Sequence, residues 1–270
     1  MMRIAFAIVL FVVAAIIFFR IPYSKMKSRF EKDVQKHMGN TTTKSELLSE
    51  QDIALLPEPV QNHLRASGHI GKPKMTSLTA HMPSVPMKDP DIIVDFTLVL
   101  FADEPTRLAY IKSSIIGVPF EAYDEMQNGA GSMKGVIGKM ITLFNETGSE
   151  MSKSQLLTYL GECVLIPSSM VSEHIKWEAV DGASVKATIT CNGISGSGIF
   201  TFGDDGFMKS FYTYERGNDG KKKYHKWSAV YENYAERDGV YYPEEVKAIW
   251  HGDDGDLVYF HANKIERAFR

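Results

Sequence analysis

The stretch GECVLIPSSM, Gly161 to Met170, sets a carboxylate (Glu162) beside a thiol (Cys163) and follows them with two hydroxyls, Ser168 and Ser169. Two chemistries come to mind: nucleophilic attack by cysteine or serine, and general-base catalysis by Glu162. A cysteine nucleophile needs a base, usually histidine, that a third group orients. The eight histidines stand at 37, 63, 69, 81, 174, 225, 251 and 261, and none forms a recognisable signature with Cys163. Ser168 and Ser169 lack the GxSxG elbow. The residues favour a structural reading instead. Glu162 pairs with an Arg or Lys, or accepts backbone N–H groups, beside a helix end. Cys163 fills core space, and the serine hydroxyls satisfy backbone groups after Pro167. No catalytic residue is assigned. An envelope-associated hydrolase with Glu162 or a histidine as general base is the alternative.

Other chemistries carry less. HGDDGD groups His251 with Asp253, Asp254 and Asp256. Acids are common at hairpin tips for turn reasons, and the spacing is not that of an EF-hand loop, so no metal site is assigned. NGAGSMKGVIGKMITLF carries Gly129, Gly131, Gly135 and Gly138. The spacing fits neither GxGxxG nor GxxxxGK[ST]. It predicts a glycine-permitted bend or bulge, with Val136, Ile137, Met140, Ile141 and Leu143 packing under it. Cys163 and Cys191 form no CxxC and no zinc spacing, and a bridge between them stays open. No cofactor is implied. The 270 residues carry a net charge of -3. Lys and Arg are dispersed apart from a cluster near the N-terminus and Lys221–Lys223, which argues against a nucleic-acid binder.

The elements that must position these residues begin with MMRIAFAIVLFVVAAIIFFRIPYSKMKSR. Ile4 to Phe19 has no polar side chain. As a helix it spans about 24 Å, and Arg3, Arg20 and Tyr23 at its margins extend it towards a ~30 Å hydrocarbon core. No small-x-small cleavage site follows, so an uncleaved single-pass anchor over residues 1–23 is expected, contacting the membrane through 4–19. Arg20, Lys25, Lys27, Arg29 and Lys32 follow the span and favour a cytoplasmic domain by the positive-inside rule. Residues 24–51 read as a juxtamembrane helix running into a linker. Residues 52–270 read as one β-rich domain with helices near 57–67 and 149–165. In the second helix, Ser152 or Ser154 can cap the start.

DIIVDFTLVLF is apolar on both faces, which requires cover on both faces or a barrel-like wall. From residue 173 onward about seven strands alternate with Asp-Gly and Asn-Gly turns. With the earlier strands the total is about ten, and a sheet that large curls. The predicted fold is therefore mainly β with a few helices: a large curved antiparallel sheet, half-barrel or open barrel, preceded by a transmembrane helix. Trp177, Trp227, Trp250, Tyr110, Phe96 and Phe200 lie on strands. With Glu162 they are the expected lining of an apolar groove for a lipid, an acyl chain or another hydrophobe. A non-catalytic interaction protein with a packed interior is the remaining reading.

LLPEPVQNHLRASG, LLTYLGECVLIPSSM and IKWEAVDGASVKATIT, in that order, resemble a family of bacterial membrane-associated proteins of unknown function. That resemblance implies no activity and no catalytic residue. The closing stretch GVYYPEEVKAIWHGDDGDLVYFHANKIERA is similar to the last hairpin of half-barrel envelope lipoprotein carriers. This implies a curved sheet that holds acyl chains beneath covering helices. Such carriers work outside the cytoplasm, opposite to the side the charge rule favours.

Overall fold

Glycine- and asparagine-rich turns divide most of the chain into hairpins. The computed structural model describes residues 2–21, 24–41, 45–88, 91–217 and 224–270; Tyr23 and Lys221–Lys223 lie outside the described residues. The chain begins with helices α1 (Met2–Arg20), α2 (Lys25–Asn40), α3 (Glu50–Ile53) and α4 (Glu58–Ala66). Six strands follow: β1 (Ser77–Met87), β2 (Ile92–Phe101), β3 (Thr106–Ile115), β4 (Val118–Gln127), β5 (Ala130–Ile137) and β6 (Ile141–Glu146). Helix α5 (Ser149–Glu162) and two short 3₁₀ turns lead into the second strand set. These strands are β7 (Ile175–Ala179), β8 (Ser184–Cys191), β9 (Ile194–Phe202), β10 (Met208–Thr213), β11 (Tyr224–Arg237), β12 (Val240–Gly252), β13 (Gly255–Ala262) and β14 (Glu266–Phe269).

All described strands join one antiparallel sheet in the order β6-β5-β4-β3-β2-β1-β13-β12-β11-β10-β9-β8-β7, with β14 paired to β1 off that path. The β1–β13 pairing joins two meanders into one sheet. Tight turns at Asn128-Gly129, Asn192-Gly193 and Asp238-Gly239 have positive φ at both residues. This is the geometry that two-residue hairpins need. The last predicted strand is broken: Ala262 ends β13, and β14 turns away to pair with β1. Pro243 lies in the interior strand β12, but β13 pairing begins only at Val246↔Ala262. The proline's missing N–H therefore leaves no gap in that ladder.

Buried side chains from both walls, β1–β4 and β7–β13, join those of α4 and α5 in one cluster, so the sheet is curled around the helices. Val185, Ala187, Ile189 and Cys191 face that core, as their alternation predicts. A second cluster lies on the outer face. There Met26 and Phe30 of α2 cover Val99, Phe101, Leu108, Tyr110, Tyr123 and Val136. This explains why β2 is apolar on both sides. The expected juxtamembrane segment is thus an amphipathic helix packed on the sheet, capped at its start by Ser24.

The glycine-rich stretch is the β5–β6 hairpin, and the expected bulge falls at Gly135/Val136, where the register shifts. Val136 is buried, whereas Met140, Ile141 and Leu143 are exposed. Helix α1 buries none of its apolar window and is long and apolar enough to cross a membrane.

Candidate functional site

Helix α5 lies across the inside of the curl and touches β3, β4 and β5 on one wall and β8, β9 and β10 on the other. Leu156, Leu157 and Leu160 are fully buried beneath it. Two glycines, one per wall, let it sit this low. A Cβ on Gly131 of β5 would stand 2.7 Å from Ser152 Cα, and one on Gly196 of β9 would stand 2.9 Å from Leu157. Both are below ordinary carbon contact distance. Gly161 has the same role from the helix side, because a Cβ there would meet Phe211 at 3.0 Å and Trp227 at 3.4 Å.

Polar contacts latch the edges of α5. Ser152 Oγ accepts from Gly131 N at 2.9 Å, and Ser154 Oγ accepts from Gly217 N at 3.1 Å. Arg216 Nε donates to Thr158 Oγ1 at 3.1 Å. Tyr159 Oη donates to Phe101 O at 2.8 Å, and Tyr231 Oη donates to Gly161 O. Ser152 and Ser154 are therefore latches within the helix, and neither is the expected cap; the N-cap position is Gly148, with no side-chain cap bond.

Glu162 ends α5 in a buried ion cluster. Arg107 Nε and Nη2 donate to its two carboxylate oxygens at 2.7 and 3.0 Å. Arg107 Nη1 donates to Asp124 Oδ2 at 2.7 Å. Desolvation works against the Arg107 charge, but Glu162 and Asp124 more than offset it and hold its pKa above the ordinary value. Burial pushes the Glu162 carboxyl up, and Arg107 pulls against that without reversing it. Cys163 is fully buried, and desolvation raises its thiol pKa far above the ordinary value. A neutral thiol is a poor nucleophile. Cys163 and Cys191 are both free, so the open question of a bridge resolves against one. Ser168 Oγ accepts from Met75 N at 2.7 Å, the backbone role its position suggests.

Several of the expected lining residues converge. Trp177 and Phe200 pack at 5.3 Å between ring centroids, Phe200 and Phe211 at 4.6 Å, and Phe211 and Trp227 at 6.1 Å. This row lies under the C-terminal half of α5. Arg216 places its guanidinium 4.8 Å from the Trp227 ring and 4.9 Å from the Trp250 ring, which ties Trp250 to the row. Phe96 packs on Phe260 at 5.2 Å elsewhere in the core. Tyr110 sits on the outer face, stacked on Phe30 of α2, with its hydroxyl on Glu121.

Sequence reasoning missed Arg107 and Asp124. The signal was in phase: Arg107 alternates with Ala109 and Ile111, and Asp124 with Ala122 and Met126, all facing the core. A charge at an inward position of a strand predicts a buried partner. Of the acidic hairpin group, His251 Nδ1 pairs with Asp256 at 2.8 Å and Asp253 with His225 at 2.9 Å.

A separate cavity of about 480 Å³ opens on the outer face, between the end of α1, the start of α2 and the β4–β6 wall. Phe18, Met26, Val136 and Met140 supply apolar lining, and Lys25, Arg29, Lys134 and Lys139 supply charge.

The architecture is thus a curled open antiparallel sheet with helices α4 and α5 packed on its inner face and an apolar helix at its N-terminal end. The chain belongs to the family of unknown function DUF6544, whose profile matches residues 46–262 and so spans the three sequence blocks quoted above. Among solved structures, it is similar to a LolA superfamily protein from Nitrosomonas europaea. The identity is 11%, the alignment covers 77% of this chain and 91% of that one, and the TM-score is 0.40. No curated protein matches.

Proposed function

We propose that this protein is a membrane-tethered binding domain that holds a lipid or another hydrophobic molecule between α5 and the sheet, with α1 as its anchor. The observation that carries this reading is the seat of α5. The helix bridges both walls over glycines, with an apolar underside and polar latches at its edges. Its own leucines fill the trough, so a ligand enters as α5 lifts and its latches break. An acyl chain in their place gains about 0.8 kcal/mol per CH₂ removed from water. That gain offsets the lost leucine contacts.

The anchor reading is supported by length and exposure. The 19 residues of α1 rise about 28 Å, close to a ~30 Å hydrocarbon core. Hydrolysis with Glu162 as general base is disfavoured, because both carboxylate oxygens are engaged by Arg107. The full burial of Leu156, Leu157 and Leu160 favours a second reading, an interaction domain with a permanently packed interior.

Photocrosslinking separates the two. A diazirine fatty acid is activated with the protein in native membranes, and the labelled peptides are sequenced. Label on α5 and on β8–β10 is expected for the binding domain. Label confined to α1 and the outer surface would assign the interior to packing alone.

A further inference from the structure

The cavity at the foot of α1 has no role in the site under α5; it lies on the opposite face of the sheet. Its position follows from turn chemistry. The β3–β4 turn (Ile116 and Gly117) and the β5–β6 turn (Gly138 and Lys139) both use positive φ, and β4–β5 pairing brings them to the same end of the sheet. Lys139 reaches from its turn to α1, donating to Phe18 O at 3.0 Å and to Ile21 O at 2.5 Å. A lysine on the last carbonyls of a helix satisfies groups that have no partner inside it. The hairpin tips therefore stand beside the C-terminal end of α1, which on the tether reading is where the chain leaves the bilayer. They carry apolar side chains that a solvent-facing turn has no use for. Ile116 is 99% exposed, Met140 71% and Ile141 63%.

The charges at this level are one-sided. The cavity lining has four cations and no carboxylate. Arg29 is engaged by Asp33 at 3.7 Å and by Glu125, and Lys139 by the α1 carbonyls. Among the described residues, Lys25 and Lys134 have no carboxylate partner. The first turn of α2 also faces the cavity through Ser24, Lys25 and Met26, and adds the partial positive charge of a helix N-terminus. Apolar tips at bilayer depth, a cationic cavity just beyond them and a helix start aimed into it define one complementary ligand: a phosphate diester carried on acyl chains.

We propose that this cavity binds the headgroup of an anionic phospholipid in the leaflet from which α1 emerges, with Lys25 and Lys134 as its principal phosphate contacts. The site rests on the tethering part of the proposed function and is independent of the ligand under α5.

The test uses the full chain with vesicles of phosphatidylcholine alone, or with added phosphatidylglycerol. Flotation with the neutral vesicles reports the tether by itself; failure there removes the anchor reading and this site with it. Native mass spectrometry after transfer to detergent then reports which lipid is retained. Wild type is expected to retain phosphatidylglycerol over phosphatidylcholine. A membrane-proximal lysine contributes about fivefold in affinity, so Lys25→Ala with Lys134→Ala should lower phosphatidylglycerol retention about 25-fold. Lys25→Arg with Lys134→Arg should keep it, which separates lost charge from a lost fold. Absence of a preference in wild type, or a preference that survives the double alanine variant, overturns the proposal. Equal occupancy by inorganic phosphate in lipid-free detergent also overturns it and reassigns the cavity to a soluble anion.

Discussion

Replacing Arg107 with leucine probes the cluster that holds the C-terminal end of α5. The guanidinium is almost fully buried and makes three short charged hydrogen bonds: two to Glu162 at 2.7 and 3.0 Å and one to Asp124 at 2.7 Å. Leucine removes all three and leaves two interior carboxylates without a hydrogen-bonded cation, with Arg216 acting on Glu162 only at longer range. Breaking a buried ion pair in this way costs about 3–5 kcal/mol. With a urea m-value of about 2–3 kcal/mol/M, the midpoint should fall by about 1–2.5 M. The loss should depend on pH. Burial already raises the Glu162 carboxyl pKa with Arg107 present, and without the guanidinium it rises further. A group whose folded pKa is raised stabilises the fold below its unfolded value and loses that contribution as pH climbs through the folded one. The variant should therefore recover part of its deficit between about pH 7.5 and about pH 5. Arg107→Lys should fall between the two, since an ammonium cannot make the bidentate contact. Urea titrations followed by tryptophan fluorescence at both pH values measure this. A cost below about 1 kcal/mol at pH 7.5, or an equal cost at both pH values, would refute the cluster as the clamp on α5.

Three further predictions concern the same packing. Gly131→Ala forces the backbone of α5 to move, because the new Cβ would stand 2.7 Å from Ser152 Cα. It should cost about 1–3 kcal/mol in urea melts, while Gly182→Ala, with nothing within 4 Å, should stay within about 0.5 kcal/mol. Buried His63 and His69 are held neutral, with pKa values lowered by desolvation to about 3 and about 4. Stability should thus be lost as pH falls below about 6.5, by up to about 1.4 kcal/mol per pH unit for each histidine, and His63→Phe should flatten that slope. Cys163 should resist thiol reagents in the native state and react on unfolding, because burial keeps its thiol protonated; rapid native labelling would contradict its place in the core.

What the sequence revealed depended on whether a signal was local. Val185, Ala187, Ile189 and Cys191 announced their strand by alternation, and Pro57 and Gly68 bracketed α4 by their backbone preferences. Three members of the aromatic row, Trp177, Phe200 and Trp227, were singled out, but Phe211, which joins them, was not. The β5–β6 hairpin was legible in part: a bulge was expected and falls at Gly135/Val136, but the packing role of Gly131 and Gly135, which make room for α5 and Phe144, has no local signal. Met140 and Ile141 were assigned to the core because hydrophobicity alone does not distinguish an interior from the foot of an apolar helix. Glu162 was expected to find a cation, yet only the register of β3 supplies Arg107, 55 positions away.

The most direct measurement is native mass spectrometry of residues 24–270, which keep α2 on the outer face, purified without detergent and extracted with organic solvent. The account predicts one lipid or acyl-bearing molecule per chain, released when the protein unfolds. A clean unliganded mass that stays unchanged after incubation with membrane lipids would contradict it and leave α5 a permanent part of the core.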